Sequence, residues 1–280
     1  MELKCVIYAL ILAGGKGTRL YPLSRMNKPK QFLKIINNKS FLENTVERIT
    51  PLINKDNIYV VTNTDYLDKI KKELSYINSD NIFTEPANKE TATCIGLSAV
   101  KLLKKDNDAV MVVLPSDHHI KGEKEYIDTL LEAIELANRR RGIVTIGITP
   151  TRPETGYGYI KCAEQVYASD NVVIKKVEKF VEKPNMQKAK EYLADGTYLW
   201  NGGMFIWSCA NIIEQIKKYS PTTYEALNKI SSIDEKDIQM FIEEVEEIFN
   251  KYGAISKDTA VSKKVIKNDI SNIKISKFKK

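Results

Sequence analysis

Residues Cys5 to Ala13 form an unbroken run of nine apolar side chains that stops at Gly14 and Gly15. A run of this length without polar alternation suits a strand buried on both faces, and such a strand needs helices above and below it. Further runs of the same kind lie at Ile58–Thr62, Ala109–Leu114 and Ile143–Ile148. Amphipathic stretches of helical period separate them at Phe41–Ile49, Leu67–Tyr76, Thr91–Leu103 and Tyr126–Ala137. This alternation predicts an α/β fold, a Rossmann-like, mostly parallel mixed sheet with helices on both faces. Ligands of such sheets lie outside the carboxyl ends of the strands, which directs attention to the loops after these runs.

The pattern changes after Thr149. Thr155–Ile160 sets two Gly among Tyr residues, Lys161–Val181 reads as a pair of longer strands, and Tyr198–Trp207 as a strand interrupted by Gly202 and Gly203. A small inserted β lobe is expected here. From Pro221 to Asn250 the chain reads as helices, with a strongly acidic one at Asp234–Glu247. No internal repeat and no Gly/Ser or Pro linker divides the chain. The expected organisation is a core over residues 1–250, followed by a late helix and Lys-rich tail over 251–280.

The net charge of +7 raises a nucleic-acid reading, which its distribution removes. Residues 251–280 hold nine Lys against two Asp, so the surplus of seven sits there and residues 1–250 are neutral overall. Within that neutral part, Leu3–Leu42 carries eight cations and no Asp or Glu. Aromatic residues do not interleave with the basic ones as base-stacking platforms require, so no nucleic-acid partner is expected. Four dispersed cysteines without a C-x-x-C pair fit a reduced, cytoplasmic protein. The N-terminal apolar run Cys5–Ala13 imitates a short signal peptide, but it is only nine residues and leads directly into the basic, Gly-rich Gly14–Leu20, so secretion is not expected, and no segment reaches membrane-spanning length.

After the first predicted strand, Gly14, Gly15, Lys16, Gly17 and Arg19 follow in close order. Glycine lets backbone N–H groups approach an anion, and Lys and Arg add charge, as a nucleotide's phosphates require. A dinucleotide-binding G-x-G-x-x-G fails at Leu20, and a Walker A fails at Gly17. Taken alone, the loop reads equally as a tight surface turn or as a phosphate cradle. Arg25, Lys28 and Lys30 continue the cationic stretch, with Pro29 stiffening the presentation of two Lys, and together they suit a polyphosphate.

Leu12–Leu20, with Tyr21–Arg25 and Pro29–Leu33, resembles the signature of sugar-nucleotide pyrophosphorylases, and within them the mannose-1-phosphate guanylyltransferases. The similarity recurs in order at Glu85-Pro86, Leu114–His118, Pro153–Ile160, Phe180–Pro184 and Trp200–Phe205, and covers roughly residues 5–265. It implies a nucleotide-diphospho-sugar transferase fold and attack of a sugar-1-phosphate oxygen on the α-phosphorus of a nucleoside triphosphate. GTP and mannose-1-phosphate are the implied substrates and Mg²⁺ the implied cofactor, and a homodimer is compatible with the resemblance.

By the same resemblance, Ala13, Gly14 and Gly15 would face the base and ribose, with Glu85 and Pro115 nearby, while Lys16, Gly17, Thr18 and Arg19 surround the triphosphate. Arg19 would hold the departing pyrophosphate, Lys30 would steady the phosphates from the other side, and Asp117 would hold Mg²⁺ against the α-phosphate. Gly156, Tyr157, Gly158, Glu182, Lys183 and Asn201 fall to the sugar phosphate. Asp117 read without the resemblance could instead cap a turn. His118 and His119 find no partner in the sequence, no proton has to leave a phosphate oxygen at neutral pH, and a structural role is expected of them.

Three positions depart from the family pattern. Glu90 stands where a neutral amide is expected near the base, and Gly202 replaces the usual Ser after Asn201. Ile255–Lys264 looks like the family's late helix, yet no Trp follows Trp207 and only Asp269 remains where a second metal-binding Asp is expected. Two alternatives therefore stand beside the guanylyltransferase expectation. One keeps the chemistry with another nucleotide or hexose-1-phosphate. The other is a truncated, non-catalytic nucleotide-binding regulator of a complete paralogue.

Overall fold

The structure, a computed structural model, describes residues 5–15, 22–25, 28–35, 37–84, 91–140, 142–168, 172–231 and 273–278. Along the chain the regular elements are β1 (Ile7–Leu12), α1 (Phe41–Ile49), β2 (Ile58–Thr62), α2 (Leu67–Glu73), β3 (Ile82–Thr84), α3 (Thr91–Lys105), β4 (Val110–Pro115), α4 (Glu123–Arg140), β5 (Ile143–Ile148), β6 (Tyr159–Ala168), β7 (Val173–Val181), α5 (Met186–Asp195), β8 (Tyr198–Ser208), α6 (Cys209–Tyr219), α7 (Pro221–Ser231) and β9 (Ile273–Phe278). They fall into two compact units: Lys4–His119 with Cys209–Lys263, and Ile120–Ser208 with Lys264–Lys280 and Met1–Leu3.

In the first unit β3, β2, β1 and β4 lie side by side in that order, all parallel. Ala9 of β1 stands opposite Ile58 on one side and Val112 on the other. Ala9, Leu10 and Ile11 are wholly buried, as the unbroken apolar run requires. Helix α1 begins at a capping box in which Ser40 Oγ accepts from Glu43 N at 3.0 Å and Glu43 Oε2 accepts from Ser40 N at 2.7 Å. Helix α3 packs on α6 and α7, and Gly96 permits that approach, since a Cβ there would lie 2.6 Å from Leu227 Cδ1.

In the second unit β8, β5, β9, β7 and β6 form a mixed ladder, and β6 returns to pair with β8, closing the ring. Strand β9 runs parallel to β5 and antiparallel to β7. The expected β lobe corresponds to the β6–β7 hairpin with its neighbours. A buried cluster of Tyr159, Ala189, Tyr198 and Trp200 fills this unit beside α5, with the Tyr192 and Tyr198 rings stacked at 4.0 Å.

Two expectations need correction, and one helix was not anticipated. Strand β8 is continuous: Gly203 absorbs a positive φ of 65° inside it, and the register with β5 shifts between Thr145 and Gly147. Residues 273–278, read by charge as part of a tail, are a strand; the short alternation of Ile273, Lys274 and Ile275 is obscured by the lysines around it. Helix α5, polar enough to be passed over, is fixed by its ends, with Asn185 Oδ1 accepting from Lys188 N at 2.9 Å and Gly196 left-handed at φ 73°. The acidic segment Asp234–Glu247 and the late helix Ile255–Lys264 lie outside the described residues. Among the described residues no helix is long and apolar enough to cross a membrane.

Because Leu10 is wholly buried at the centre of the first sheet, Leu10→Ala is expected to destabilise the first unit by about 2–5 kcal/mol, read as a lowered urea midpoint with an unchanged slope.

Candidate active site

Beyond Leu12 the chain leaves the ladder while still inside the protein, and its carbonyls need donors. Leu12 O accepts from Ser116 N at 3.2 Å and Ser116 Oγ at 2.9 Å. Ala13 O accepts from Gln31 Nε2 at 2.8 Å and Thr62 Oγ1 at 3.2 Å, and Gly14 O accepts from Asn63 Nδ2 at 3.3 Å. All four donor residues are buried. In a trans peptide the following N–H points opposite to the carbonyl, so the N–H groups of Gly14 and Gly15 are turned away from these side chains. A Cβ built on Gly15 meets nothing within 4 Å, so that side of the loop is open.

Beside this loop, Lys30 Nζ lies 2.9 Å from Asp117 Oδ2, with the two side chains 26% and 37% exposed. Lys30 opens a short turn, Lys30–Phe32, that follows Pro29 in extended conformation, and its ammonium stands 5.8 Å over the Phe41 ring. Asp117 follows Pro115, which ends β4 opposite Leu12 of β1. The ion pair keeps a wet face and one further carboxylate oxygen, so both charges can turn to a ligand without leaving water entirely.

Behind the pair, His118 Nε2 is 3.8 Å from Asp117 Oδ1, and buried Arg48 donates to His118 O at 3.5 Å. Burial holds the His118 imidazole below its ordinary value; Lys30 and Arg48 push the same way, and Asp117 opposes them.

In the second unit the residues expected to meet the sugar phosphate cluster at one end of β6, β7 and β8. Gly158 O accepts from Asn201 N at 2.8 Å, and a Cβ on Gly158 would sit 3.5 Å from both Asn201 Cβ and Glu182 Oε1. Asn201 Oδ1 accepts from Gly203 N at 2.9 Å. Glu154 shapes the preceding loop by accepting from Gly156 N at 3.0 Å and from Arg152 Nη2 at 3.0 Å; the Gly156 bond, ahead of the arginine, holds its carboxyl below the usual range. Tyr157 stands edge-on at 5.3 Å to the ring of Trp200, the neighbour of Asn201 in β8. Lys183 is exposed and left-handed at φ 37°, a strained setting for a residue with a Cβ.

The structure therefore brings Lys30 and Asp117 together beside Ala13, Gly14 and Gly15, and separately gathers Gly158, Glu182 and Asn201. Lys16, Gly17, Thr18, Arg19 and Glu85 lie outside the described residues. Gln31, Thr62, Asn63 and Ser116 carry no sequence signal beyond position, three of them standing just where a buried strand ends and the fourth beside Lys30.

The sequence profile of the nucleotidyl transferase family matches residues 8–246. The chain belongs to this family. It is 36% identical over 259 residues to a mannose-1-phosphate guanylyltransferase of Escherichia coli (strain K12), covering 91% of this chain and 54% of that one. Against a mannose-1-phosphate guanylyltransferase of Salmonella montevideo, identity is 40% over 225 residues, or 79% of this chain and 47% of the relative. The chain thus spans about half the length of these relatives. A crystal structure described as mannose-1-phosphate geranyltransferase from Thermus thermophilus superposes with a TM-score of 0.80 at 31% identity, covering 98% of this chain and 74% of that one. The expected fold class is borne out by this likeness, a mostly parallel mixed sheet with helices.

Gln31→Leu leaves the Ala13 carbonyl with Thr62 alone; amide exchange at Gly14 and Gly15 is expected to quicken, with a loss of about 1–3 kcal/mol in stability. For His118, whose folded value lies below its unfolded one, the unfolded chain binds the proton more readily, so stability falls as pH drops below about 6.5. Urea midpoints at pH 7.5 and 5.5 are expected to differ more for the native chain than for His118→Gln.

Proposed function

We propose that this chain transfers GMP from GTP to mannose-1-phosphate, giving GDP-mannose and pyrophosphate. The observation that carries the reading is the Lys30–Asp117 pair at 2.9 Å beside a glycine loop entered through three carbonyls, of Leu12, Ala13 and Gly14, that are bonded to buried side chains. The choice of guanine and mannose rests on the names of the similar proteins and on the ordered motifs.

In this reading an oxygen of the sugar phosphate attacks the α-phosphorus in line, the new P–O bond forms as the bond to the β-phosphate oxygen breaks, and pyrophosphate leaves with that electron pair. No side chain has to act as a nucleophile, because the sugar phosphate is already an anion. The protein's share is orientation and charge. The N–H groups of Gly14 and Gly15 bind the nucleotide at the carboxyl end of β1. Lys30 gives its ammonium to the phosphates, and Arg19, beside Lys16 and Thr18, takes the leaving pyrophosphate with a guanidinium that stays charged. Gly158, Glu182 and Asn201 accept and donate to the sugar hydroxyls, and Lys183 takes the sugar's phosphate.

Among the described residues no group of three His, Cys, Asp or Glu could enclose a metal ion. The single half-open carboxylate of Asp117 fits Mg²⁺ as that ion is held when substrate phosphates and waters complete its shell. Bound there, Mg²⁺ would offset negative charge on both reactants.

Pyrophosphate release from GTP and mannose-1-phosphate is the direct test, with other nucleotides and hexose-1-phosphates as controls. Asp117→Asn is expected to lower kcat by about 10²–10³-fold, the scale of losing one preorganised electrostatic contact. Lys30→Met is expected to raise KM for GTP as well. Nucleotide binding by calorimetry without product under any divalent metal would replace this reading with the non-catalytic one.

A further inference from the structure

The first unit also holds a groove of about 720 Å³, within the range of small-molecule sites, and neither Lys30 nor Asp117 lines it. Among the described residues Arg25, Lys28, Lys34 and Lys69 surround it, with Glu73 as the one carboxylate and Phe32 among the apolar residues of its wall. Four cations against one anion in a concave space is a strong local excess. The described residues do little to neutralise it. Lys34 reaches Glu43 only at 3.8 Å, Arg25 Nε donates to its neighbour Pro22 O at 3.4 Å, and Lys69 lies 4.1 Å over the Phe32 ring. Lys28 makes no side-chain pairing among the described residues. Glu73 is half-buried, with one carboxyl oxygen that has no hydrogen-bond partner; Lys34 and Lys69 act on its charge, so it offsets one of the four cations and leaves the group positive.

The cations are also held in a common direction. Arg25 and Lys28 face each other across an antiparallel bridge, with Arg25 N to Lys28 O at 3.0 Å and Lys28 N to Arg25 O at 2.9 Å. Residues directly opposite on such a bridge project to the same face, so both side chains leave toward the groove from a fixed backbone. A solvated basic face needs neither the concavity nor this shared direction.

We propose that this groove is a second anion site, distinct from the Lys30–Asp117 pair, that binds a small molecule bearing two or more linked phosphates. Arg25, Lys28, Phe32 and Lys34, which line the groove, flank Lys30 and Gln31 in the chain, and Gln31 is bonded to Ala13 O. A ligand in the groove therefore biases the position of Lys30 and of the glycine loop, and by reciprocity a nucleotide on the loop changes affinity in the groove. This coupling rests on the proposed function; the binding does not.

The test uses the full chain and inorganic tripolyphosphate, titrated to millimolar concentration by calorimetry. The native chain is expected to show two classes of site. Lys28→Gln with Lys69→Gln, both exposed positions outside the proposed catalytic set, should weaken one class by at least about tenfold and leave the other in place. Lys30→Met should do the reverse, and thermal melting of each variant checks that it folds. A single class of site that survives the double substitution and is lost with Lys30→Met overturns the groove, as does an absence of binding. An inactive protein that still shows the groove site overturns the transferase reading and spares this one.

Discussion

The first unit depends on how the buried end of β1 satisfies its carbonyls. Within the sheet, β1 exchanges hydrogen bonds with β2 on one side and β4 on the other, and every peptide group is paired without effort. Past Leu12 the ladder ends in the interior, where an unpaired carbonyl costs about 1–3 kcal/mol. Ser116 after β4, Thr62 and Asn63 at the end of β2, and Gln31 in the Lys30–Phe32 turn supply the donors. Three separate stretches of chain are thereby drawn to one loop. The same bonds that stabilise it also decide which way its N–H groups face, so the site is a consequence of closing the core rather than an addition to it.

The placement of charge follows from that convergence. The turn bonded through Gln31 presents Lys30, and the strand bonded through Ser116 presents Asp117, so the two meet because their neighbours bind adjacent carbonyls of β1. Behind Asp117 stands His118, whose carbonyl accepts from buried Arg48. Arg25, Lys28 and Lys34 of the same basic stretch line the groove instead, joined by Lys69 of α2. A single basic stretch of sequence is thus divided into two electrostatic environments a few residues apart.

The second unit solves a different problem. Its ladder has no edge along the ring because β9 joins β5 to β7 and β6 joins β8, which leaves few strand edges open to other chains. Aromatic packing of Tyr159, Tyr198 and Trp200 fixes the end of β6 and β8 where Gly158 and Asn201 bond to each other. Close approach there requires Gly158, and the chain turns at Lys183 in a left-handed conformation that favours glycine.

The apolar runs determined the parallel sheet of the first unit, because an uninterrupted run can be buried only between two layers, and helix α1 was legible at Phe41–Ile49 from its period. Lys30 and Asp117 were legible as chemistry, a cation after proline and a carboxylate after a strand. Their 2.9 Å pairing was not, since nothing local relates two residues 87 positions apart. Gln31, Thr62, Asn63 and Ser116 read as ordinary polar residues until the fold brought them to the end of β1. Strand β9 was hidden by its lysines, as a strand's partners are chosen by the sheet and not by its own composition. What the sequence settled by itself was which segments had to be buried and which charges were available. Which peptide groups those segments left unpaired, and so which side chains had to turn inward, was decided only by the tertiary structure, because hydrogen-bond satisfaction is a property of neighbours in space.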